Sequence, residues 1–138
     1  MSSLEDRAAA AMTASRLNSL EATDAASRAV VRSPNTRVSL ADIEAAIQCE
    51  HTFIAGDAVR ALGDVGRAPL NTLTLCIITM RNGFTVVGKA APADPGNFNA
   101  ELGRQFARED AIRQLWPLMG FALRDRLAAL NPATDAGF

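Results

Sequence analysis

The residue types best suited to metal binding or nucleophilic chemistry are two cysteines and one histidine. Cys49, His51 and Cys76 are zinc-ligand types, but Cys-x-His is not a standard ligand spacing and no fourth ligand is evident. Cys76 stands between Leu75 and Ile77, where a cysteine ordinarily serves as a small buried hydrophobic residue. A Cys76 thiolate with His51 as its base would need a polar, accessible setting, which a strand interior does not supply. We therefore predict neither a metal site nor a cysteine nucleophile.

Charged residues cluster on one segment that the apolar spacing predicts to be helical: Glu101, Arg104, Arg108, Glu109, Asp110 and Arg113. Two interpretations stay open. The charges can form solvated pairs three or four residues apart on one helix. Alternatively, Arg104 and Arg108, one turn apart, can meet Lys89 or Arg81 from the preceding strands and bind an anion. Trp116, before a proline, is either a core anchor at the helix end or a platform on which a base could stack.

Composition and the remaining motifs narrow the classes of function. The chain has 14 basic and 15 acidic residues and a net charge of -1, so it has no overall attraction to nucleic acid or membrane surfaces. The sequence has no Walker-type loop, and the stretch from Gly83 to Gly88 belongs to a turn and strand. We expect a protein that is not an enzyme and has no cofactor. Without a signal-peptide pattern or an apolar run of about 18 residues, it is expected in the cytosol with both thiols reduced.

The stretch Thr72–Ala91 predicts the structural centre of the protein. It contains two runs of β-branched and apolar residues joined at Asn82-Gly83, which is a strong hairpin signal. A two-residue type I′ turn there would place Met80 opposite Thr85. We therefore predict a β-hairpin with this register.

Both faces of this hairpin are apolar in the predicted register, in which Ile78 lies opposite Val87. Helices should cover one face, and a further strand or a second copy of the chain should cover the other. A large exposed apolar patch is unusual on a monomer, so we expect a homo-oligomer. The alternative is that Thr52–Leu70 lies across the second face.

Helical segments are predicted on both sides of the hairpin. Ser39 begins a capping box for a short helix over Leu40–Glu50, which is followed by a brief strand over Thr52–Ile54 and a helical turn over Ala58–Leu62. After the hairpin, Asp94 caps a helix with Pro95 at its first position, and the apolar spacing continues to Trp116. Pro117 should end or kink that helix, and a second amphipathic piece should follow it.

The predicted organisation is one α+β domain with two tails. Residues 1–37, rich in Ala, Ser and Arg, form a tail or a loose helix, because their large apolar residues are too sparse to bury a face. Residues 38–130 form the domain, a small β-hairpin-centred antiparallel sheet packed by C-terminal helices, with a short N-terminal helix. Residues 131–138 form a C-terminal tail.

The order of these features from about Val38 to Leu127 resembles a family of small tailed-phage accessory proteins, the N4 and Sf6 phage small-protein family. The matching residues are Asp42-Ile43-Glu44, Ile47, Glu50, Phe53, Leu73-Thr74, Cys76, Asn82-Gly83-Phe84-Thr85-Val86, Gly88, Asn97-Phe98, Glu101, Gly103-Arg104, Ala107-Arg108, Ala111, Trp116-Pro117-Leu118 and Gly120. Members often carry Thr-Gly-Glu-Ser after the Thr-Val pair. This chain instead has Lys89 near that position, which reverses the local charge. Gly120-Phe121 stands where an aromatic Gly-Tyr is common.

The resemblance implies a phage or prophage gene product in the host bacterial cytoplasm, and it implies no particular chemistry. Small phage proteins of this kind are often host-takeover or anti-defence factors, and several unrelated ones are oligomers that sequester nucleotide immune signals. One hypothesis is therefore a homo-oligomeric protein that binds a cyclic or ADP-ribose-type nucleotide through Lys89, Arg104, Arg108, Arg81 and Trp116. The alternative is a structural or adaptor protein that docks on a host or virion protein.

Overall fold

The computed structural model describes residues 19–31 and 36–131, and these residues form an α+β structure, as predicted. The helices and strands are α1 Leu20–Val30, α2 Leu40–Ala46, β1 Ile47–Ile54, α3 Ala55–Ala61, β2 Thr74–Met80, β3 Thr85–Ala90 and α4 Ala100–Leu130. Short 3₁₀ turns at Ala68–Thr72 and Pro95–Asn97 precede β2 and α4. No helix among the described residues is long and apolar enough to cross a membrane.

The three strands form one antiparallel sheet in the order β1-β2-β3, and α4 packs across one of its faces. Alternate residues of β2 point toward α4 and are buried, as a half-covered strand requires. Gly88 on β3 brings the sheet close to the backbone of α4. The core between sheet and helices contains Leu20, Leu40, Ile43, Cys76, Ile78, Met80, Val86, Ala107, Ala111, Ile112 and Leu115.

The hairpin between β2 and β3 forms, but the predicted two-residue turn is wrong. The Gly83 N–H donates to the Met80 carbonyl at 2.9 Å, and the Met80 N–H donates to the Phe84 carbonyl at 2.8 Å. Gly83 has φ +90°, whereas Asn82 keeps a negative φ and its side chain accepts from the Phe84 N–H at 3.0 Å. The loop is therefore a three-residue type I turn in which Gly83 supplies the left-handed residue of a bulge.

The longer loop shifts the hairpin register by one residue. Ile78 lies opposite Val86, and Ile77 lies opposite Val87, so the predicted pairing of Ile78 with Val87 is wrong. A one-residue slip exchanges the two faces of a strand. Val86 is consequently buried against α4 beside Ile78, and Val87 is 50% exposed on the other side of the sheet.

The segment before the hairpin contributes a longer strand and a shorter helix than predicted. The capping box at Ser39 is present, but α2 ends at Ala46, so the predicted helix over Leu40–Glu50 is four residues too long. Residues from Ile47 onward pair with β2, and this pairing overrides their local helical spacing. Strand β1 extends the sheet at its edge and does not cover its second face. That face, called the open face below, carries Cys49, His51, Phe53, Leu75, Ile77, Thr79, Thr85, Val87 and Lys89.

The C-terminal segment is one helix of 31 residues that continues through Pro117, so the proline does not end the helix. Pro117 is exposed, and a proline removes only one N–H from the ladder of hydrogen bonds. The start also differs from the prediction. Asp94 caps the 3₁₀ turn at Pro95–Asn97, and the Asn99 side chain caps α4 by accepting from the Leu102 N–H at 3.0 Å.

Helix α1 lies inside the segment predicted as a tail or loose helix, and it is attached to the core. Leu20 is 3% exposed and lies in the core, so α1 buries an apolar residue although the large apolar residues of this segment are sparse. The Asp24 carboxylate accepts hydrogen bonds from Arg37 at 2.7 Å, from the Leu40 N–H at 3.1 Å and from Arg28 at 3.0 Å. The predicted domain boundary after residue 37 stays a prediction. Most of the predicted tails, residues 1–18 and 132–138, lies outside the described residues, as do residues 32–35.

Candidate functional site

Arg108, the central residue of the predicted anion site, contacts carboxylates instead. Its Nε donates to the Glu50 carboxylate at 2.6 Å, and Nη2 lies 3.7 Å from a carboxylate oxygen of Glu44. Partial burial lowers the pKa of Arg108, but the hydrogen bond that it donates to Glu50 and the negative charges of Glu50 and Glu44 outweigh this effect and raise the pKa. Arg108 therefore joins α4 to β1 and α2, and an anionic ligand would have to compete with two carboxylates for it.

The other predicted cations lie in different parts of the molecule. Lys89 is on the open face of the sheet, which is opposite α4. Arg104 is exposed on α4. Arg81 lies at the hairpin tip, where its Nε donates to the Ala45 carbonyl at 2.8 Å and its backbone N–H donates to the Ala46 carbonyl at 2.9 Å. The described structure thus does not bring Lys89 to the α4 arginines.

Trp116 packs against the core, half-buried, and its indole Nε1–H donates to the Val38 carbonyl at 2.8 Å. This contact supports the interpretation of Trp116 as a core anchor, since both the ring and its polar N–H are engaged. The cysteines and histidine are also separated. Cys49 and His51 are exposed on the open face, whereas Cys76 is fully buried on the face that α4 covers.

An apolar groove lies between the hairpin tip and the second half of α4, and we call it the tip groove. Its volume is about 380 Å³. It is lined by Ala46, Met80, Arg81, Asn82, Phe84, Leu115, Leu118, Met119, Ala122 and Arg126. Apolar side chains therefore make up most of its surface, and two arginines from opposite walls supply its positive charge.

The tip groove exists because both of its walls extend beyond the sheet. The three-residue hairpin loop places Phe84 at the tip with 52% of its surface exposed. Helix α4 continues past Pro117, beyond the region that packs on the strands, and leaves Leu118 half-exposed. On a neighbouring face of the same turn Phe121 is 70% exposed. Exposed large apolar side chains concentrated at one end of a molecule are typical of binding surfaces.

Sequence reasoning found one of these groove residues, Arg81, and missed the others. The apolar spacing after Pro117 predicts a second amphipathic piece and does not by itself indicate a groove. The sequence does contain a signal for an exposed apolar surface, which is the number of apolar residues after Pro117. Together, Leu118, Met119, Phe121 and Ala122 cover more of the helix circumference than one buried stripe needs. Phe84, directly after the turn glycine, was the second signal.

Comparison with known proteins identifies one family. The family model described as phage protein (N4 Gp49/phage Sf6 gene 66) family matches residues 38–127, which is well over half of the chain. This match confirms the resemblance drawn from the motifs. The matched span includes β1, the hairpin and most of α4, and thus every residue that lines the tip groove. Searches of curated proteins and of solved structures gave no match.

Proposed function

Because the chain belongs to the phage protein (N4 Gp49/phage Sf6 gene 66) family, we propose that it is a non-enzymatic phage accessory protein that binds a segment of another protein in the tip groove. The observation that supports this proposal is the combination of an apolar groove with exposed Phe84 and Leu118 at its walls. Such a surface gains binding energy from excluding water. The proposed function corresponds to the structural or adaptor protein that the sequence analysis gives as the alternative.

The chemistry of the groove specifies the partner segment. The apolar lining suits a helix that presents apolar residues at spacings of three or four, as in other helix-in-groove complexes. Met80 and Met119 add flexible side chains that adapt to different apolar partners. Arg81 and Arg126 favour acidic residues at the edges of that apolar stripe. The proposed ligand is therefore an amphipathic, acidic segment of a host or virion protein.

Membership of a phage protein family supports a role for this proposed binding during infection. A small adaptor expressed in the host bacterial cytoplasm can redirect or block a host protein by occupying one of its docking surfaces. Host takeover and countering of host defence are the roles that fit this mode of action.

The experiment is a selection from a display library of random peptides on the immobilised full-length protein. Enriched peptides are then titrated, with fluorescence anisotropy as the readout, against the wild type, Phe84→Ala and Phe106→Ala. We expect enrichment of acidic peptides with helical apolar spacing. Truncating a central interface aromatic costs about 2 kcal/mol, so Phe84→Ala should weaken binding roughly thirtyfold.

Phe106→Ala is the matched control, because Phe106 is also a partly exposed phenylalanine but lines a different cavity beside the 3₁₀ turn before α4. It should change the affinity by less than about threefold. No enriched peptide class, or equal losses in the two variants, would contradict the proposal.

A second candidate is the sequestration of a cyclic or ADP-ribose-type nucleotide. One observation favours it: Arg81, Arg126 and the Phe84 ring all line the same groove, so phosphates and a base could bind side by side. The test mixes the protein with a panel of cyclic dinucleotides, cyclic trinucleotides and cyclic ADP-ribose isomers. Free ligand is removed, the protein is heated, and the released compounds are separated by chromatography.

Near-stoichiometric recovery of an intact nucleotide, lost in Arg81→Gln and Arg126→Gln, would establish this candidate over the adaptor. Loss in Arg108→Ala alone would instead support the anion site predicted from the sequence. A converted product would indicate an enzyme. If the heated protein releases none of the nucleotides in the panel, sequestration of these nucleotides is excluded.

A further inference from the structure

The two edges of the sheet differ in whether their outward main-chain groups have hydrogen-bond partners. On β3, the residues that direct their main-chain groups away from β2 include Val87 and Lys89, because Gly88 and its alternate neighbours bond to β2. Side chains of α4 bond to two of these outward groups. The Gln114 amide donates to the Val87 carbonyl at 2.7 Å, and the Asp110 carboxylate accepts from the Lys89 N–H at 2.9 Å. The helix thus blocks the β3 edge against a further strand.

The edge of β1 has no such cover within the described structure. The Ala55 N–H donates to the Leu73 carbonyl at 2.9 Å. Because every second residue of an antiparallel strand bonds to the same neighbour, Cys49, His51 and Phe53 form the main-chain hydrogen bonds with β2. Glu50 and Thr52 consequently direct their N–H and C=O groups outward, and both residues are exposed. A β-bulge near Gln48 interrupts only the first part of the strand. The regular part is therefore a free template for strand pairing.

The charge on β1 is compatible with pairing to an identical strand. Glu50 is the only acidic residue in the strand, and it is bonded to Arg108 at 2.6 Å in its own chain. In a symmetric antiparallel pair of two β1 strands, the outward-bonding residues of one strand must lie opposite those of the other. Because these residues alternate along the strand, the twofold axis must pass through one residue position and not between two positions. A pair centred on Glu50 opposes two carboxylates. A pair centred on His51 instead places Glu50 beside Thr52, and Phe53 beside Cys49 on the open face.

We propose that the β1 edge pairs with the β1 edge of a second copy, antiparallel and centred on His51, to form a continuous six-stranded sheet. About four main-chain hydrogen bonds join Glu50 and Thr52 of the two copies. Both α4 helices then lie on the same face of the extended sheet. The interface leaves the tip groove untouched, and the inference does not depend on the proposed function.

The first test compares two threonine-to-proline variants of the full-length protein by sedimentation velocity over a range of concentrations. Thr52→Pro removes an outward N–H of β1 and no hydrogen bond to β2. Thr85→Pro removes an outward N–H at the other edge and is the matched control. The wild type and Thr85→Pro should sediment as dimers and Thr52→Pro as a monomer with an unchanged circular dichroism spectrum. A monomeric wild type, or a dimeric Thr52→Pro, would overturn the proposal.

The second test checks the register by disulfide formation in a Cys49→Ser background. His51→Cys places one thiol directly opposite its equivalent across the proposed twofold axis, where the Cβ atoms lie within reach of a disulfide. Val87→Cys presents a thiol on the same open face but at the far side of the sheet. On mild oxidation, His51→Cys should form a covalent dimer and Val87→Cys should not. Equal cross-linking of the two variants would refute the register.

Discussion

The close packing of α4 on the sheet makes Gly88→Ala the substitution with the clearest expected effect on stability. A Cβ at position 88 would overlap the Ala107 carbonyl oxygen and lie 2.5 Å from the Ala111 nitrogen. Both atoms belong to the helix backbone, so no side-chain rotation can relieve the overlap. The helix or the strand has to move.

The magnitude follows from the size of that movement. Non-bonded carbon atoms pack at about 3.5–4.0 Å, so relief of a 2.5 Å contact requires a displacement of roughly 1 Å. Overpacking of this kind costs about 1–3 kcal/mol, and a displaced helix backbone belongs at the upper end. Alanine is more favourable than glycine within a strand, and this difference offsets about 0.5–1 kcal/mol of the cost. We expect Gly88→Ala to lower the free energy of unfolding by about 2 kcal/mol.

The assay is urea unfolding followed by circular dichroism. With a urea dependence of about 2 kcal/mol per molar, the expected loss shifts the midpoint down by about 1 M. Gly120→Ala on the same helix is the control, because a Cβ there meets nothing within 4 Å. That variant should gain about 0.5–1 kcal/mol, as alanine is the better helix former. A Gly88→Ala variant as stable as the wild type would show that the helix and the sheet do not approach each other this closely at position 88.

Three further predictions concern the stability of the helices and of their contacts. Asp24→Asn should lower the unfolding free energy by about 3 kcal/mol at pH 7, because it leaves Arg37 buried without its carboxylate. Burial raises the pKa of Asp24, but hydrogen bonds from Arg37, Leu40 and Arg28 outweigh it and hold the pKa below its ordinary value of 3.8. The stabilisation is thus present above about pH 4 and is lost as the pH falls through the lowered pKa, so the difference between variant and wild type in urea titrations should shrink there. A constant difference would contradict this. Pro117→Ala should raise the thermal midpoint, since it restores a helix hydrogen bond worth about 1 kcal/mol, and a lower midpoint would show that the proline is required. Trp116→Phe should cost about 1 kcal/mol through loss of the bond to the Val38 carbonyl, and unchanged urea unfolding would count against that bond.

The hairpin shows how far local sequence chemistry determines structure. Asn82-Gly83 between two apolar runs correctly predicted a reversal of the chain. The same dipeptide fits two loops, because a glycine can supply the left-handed residue of a type I′ turn or of a bulge after a type I turn. The choice between them depends on which valine, Val86 or Val87, is buried against α4. That preference arises from tertiary packing, so turn propensity alone did not determine the register.

Contacts between distant parts of the chain explain why the predicted ligand site was scattered. Arg108 was selected for its spacing from Arg104, but its bonded partner Glu50 lies 58 residues earlier in the sequence. The segment that contains Glu50 was itself predicted as helix, which hid the alignment of its carboxylate with α4. Arg81 was chosen as part of the same site and instead contributes to the tip groove. Local spacing predicted which residues lie on α4, but not what faces them.

The tip groove and the β1 edge are linked by the fold, and the link predicts bivalent binding. The backbone of Arg81 bonds to Ala46, so each groove lies beside the start of its own β1. In the proposed pair centred on His51, the two Ile47 residues are eight positions apart along antiparallel strands, or about 27 Å at a rise of 3.4 Å per residue. The two grooves would then open on the same face of the sheet. A ligand carrying two copies of a selected peptide on a linker of matching span should bind the wild type at least tenfold more tightly than one copy. Thr52→Pro should abolish this gain and leave single-peptide affinity unchanged, and a gain that survives the substitution would show that it does not come from β1 pairing.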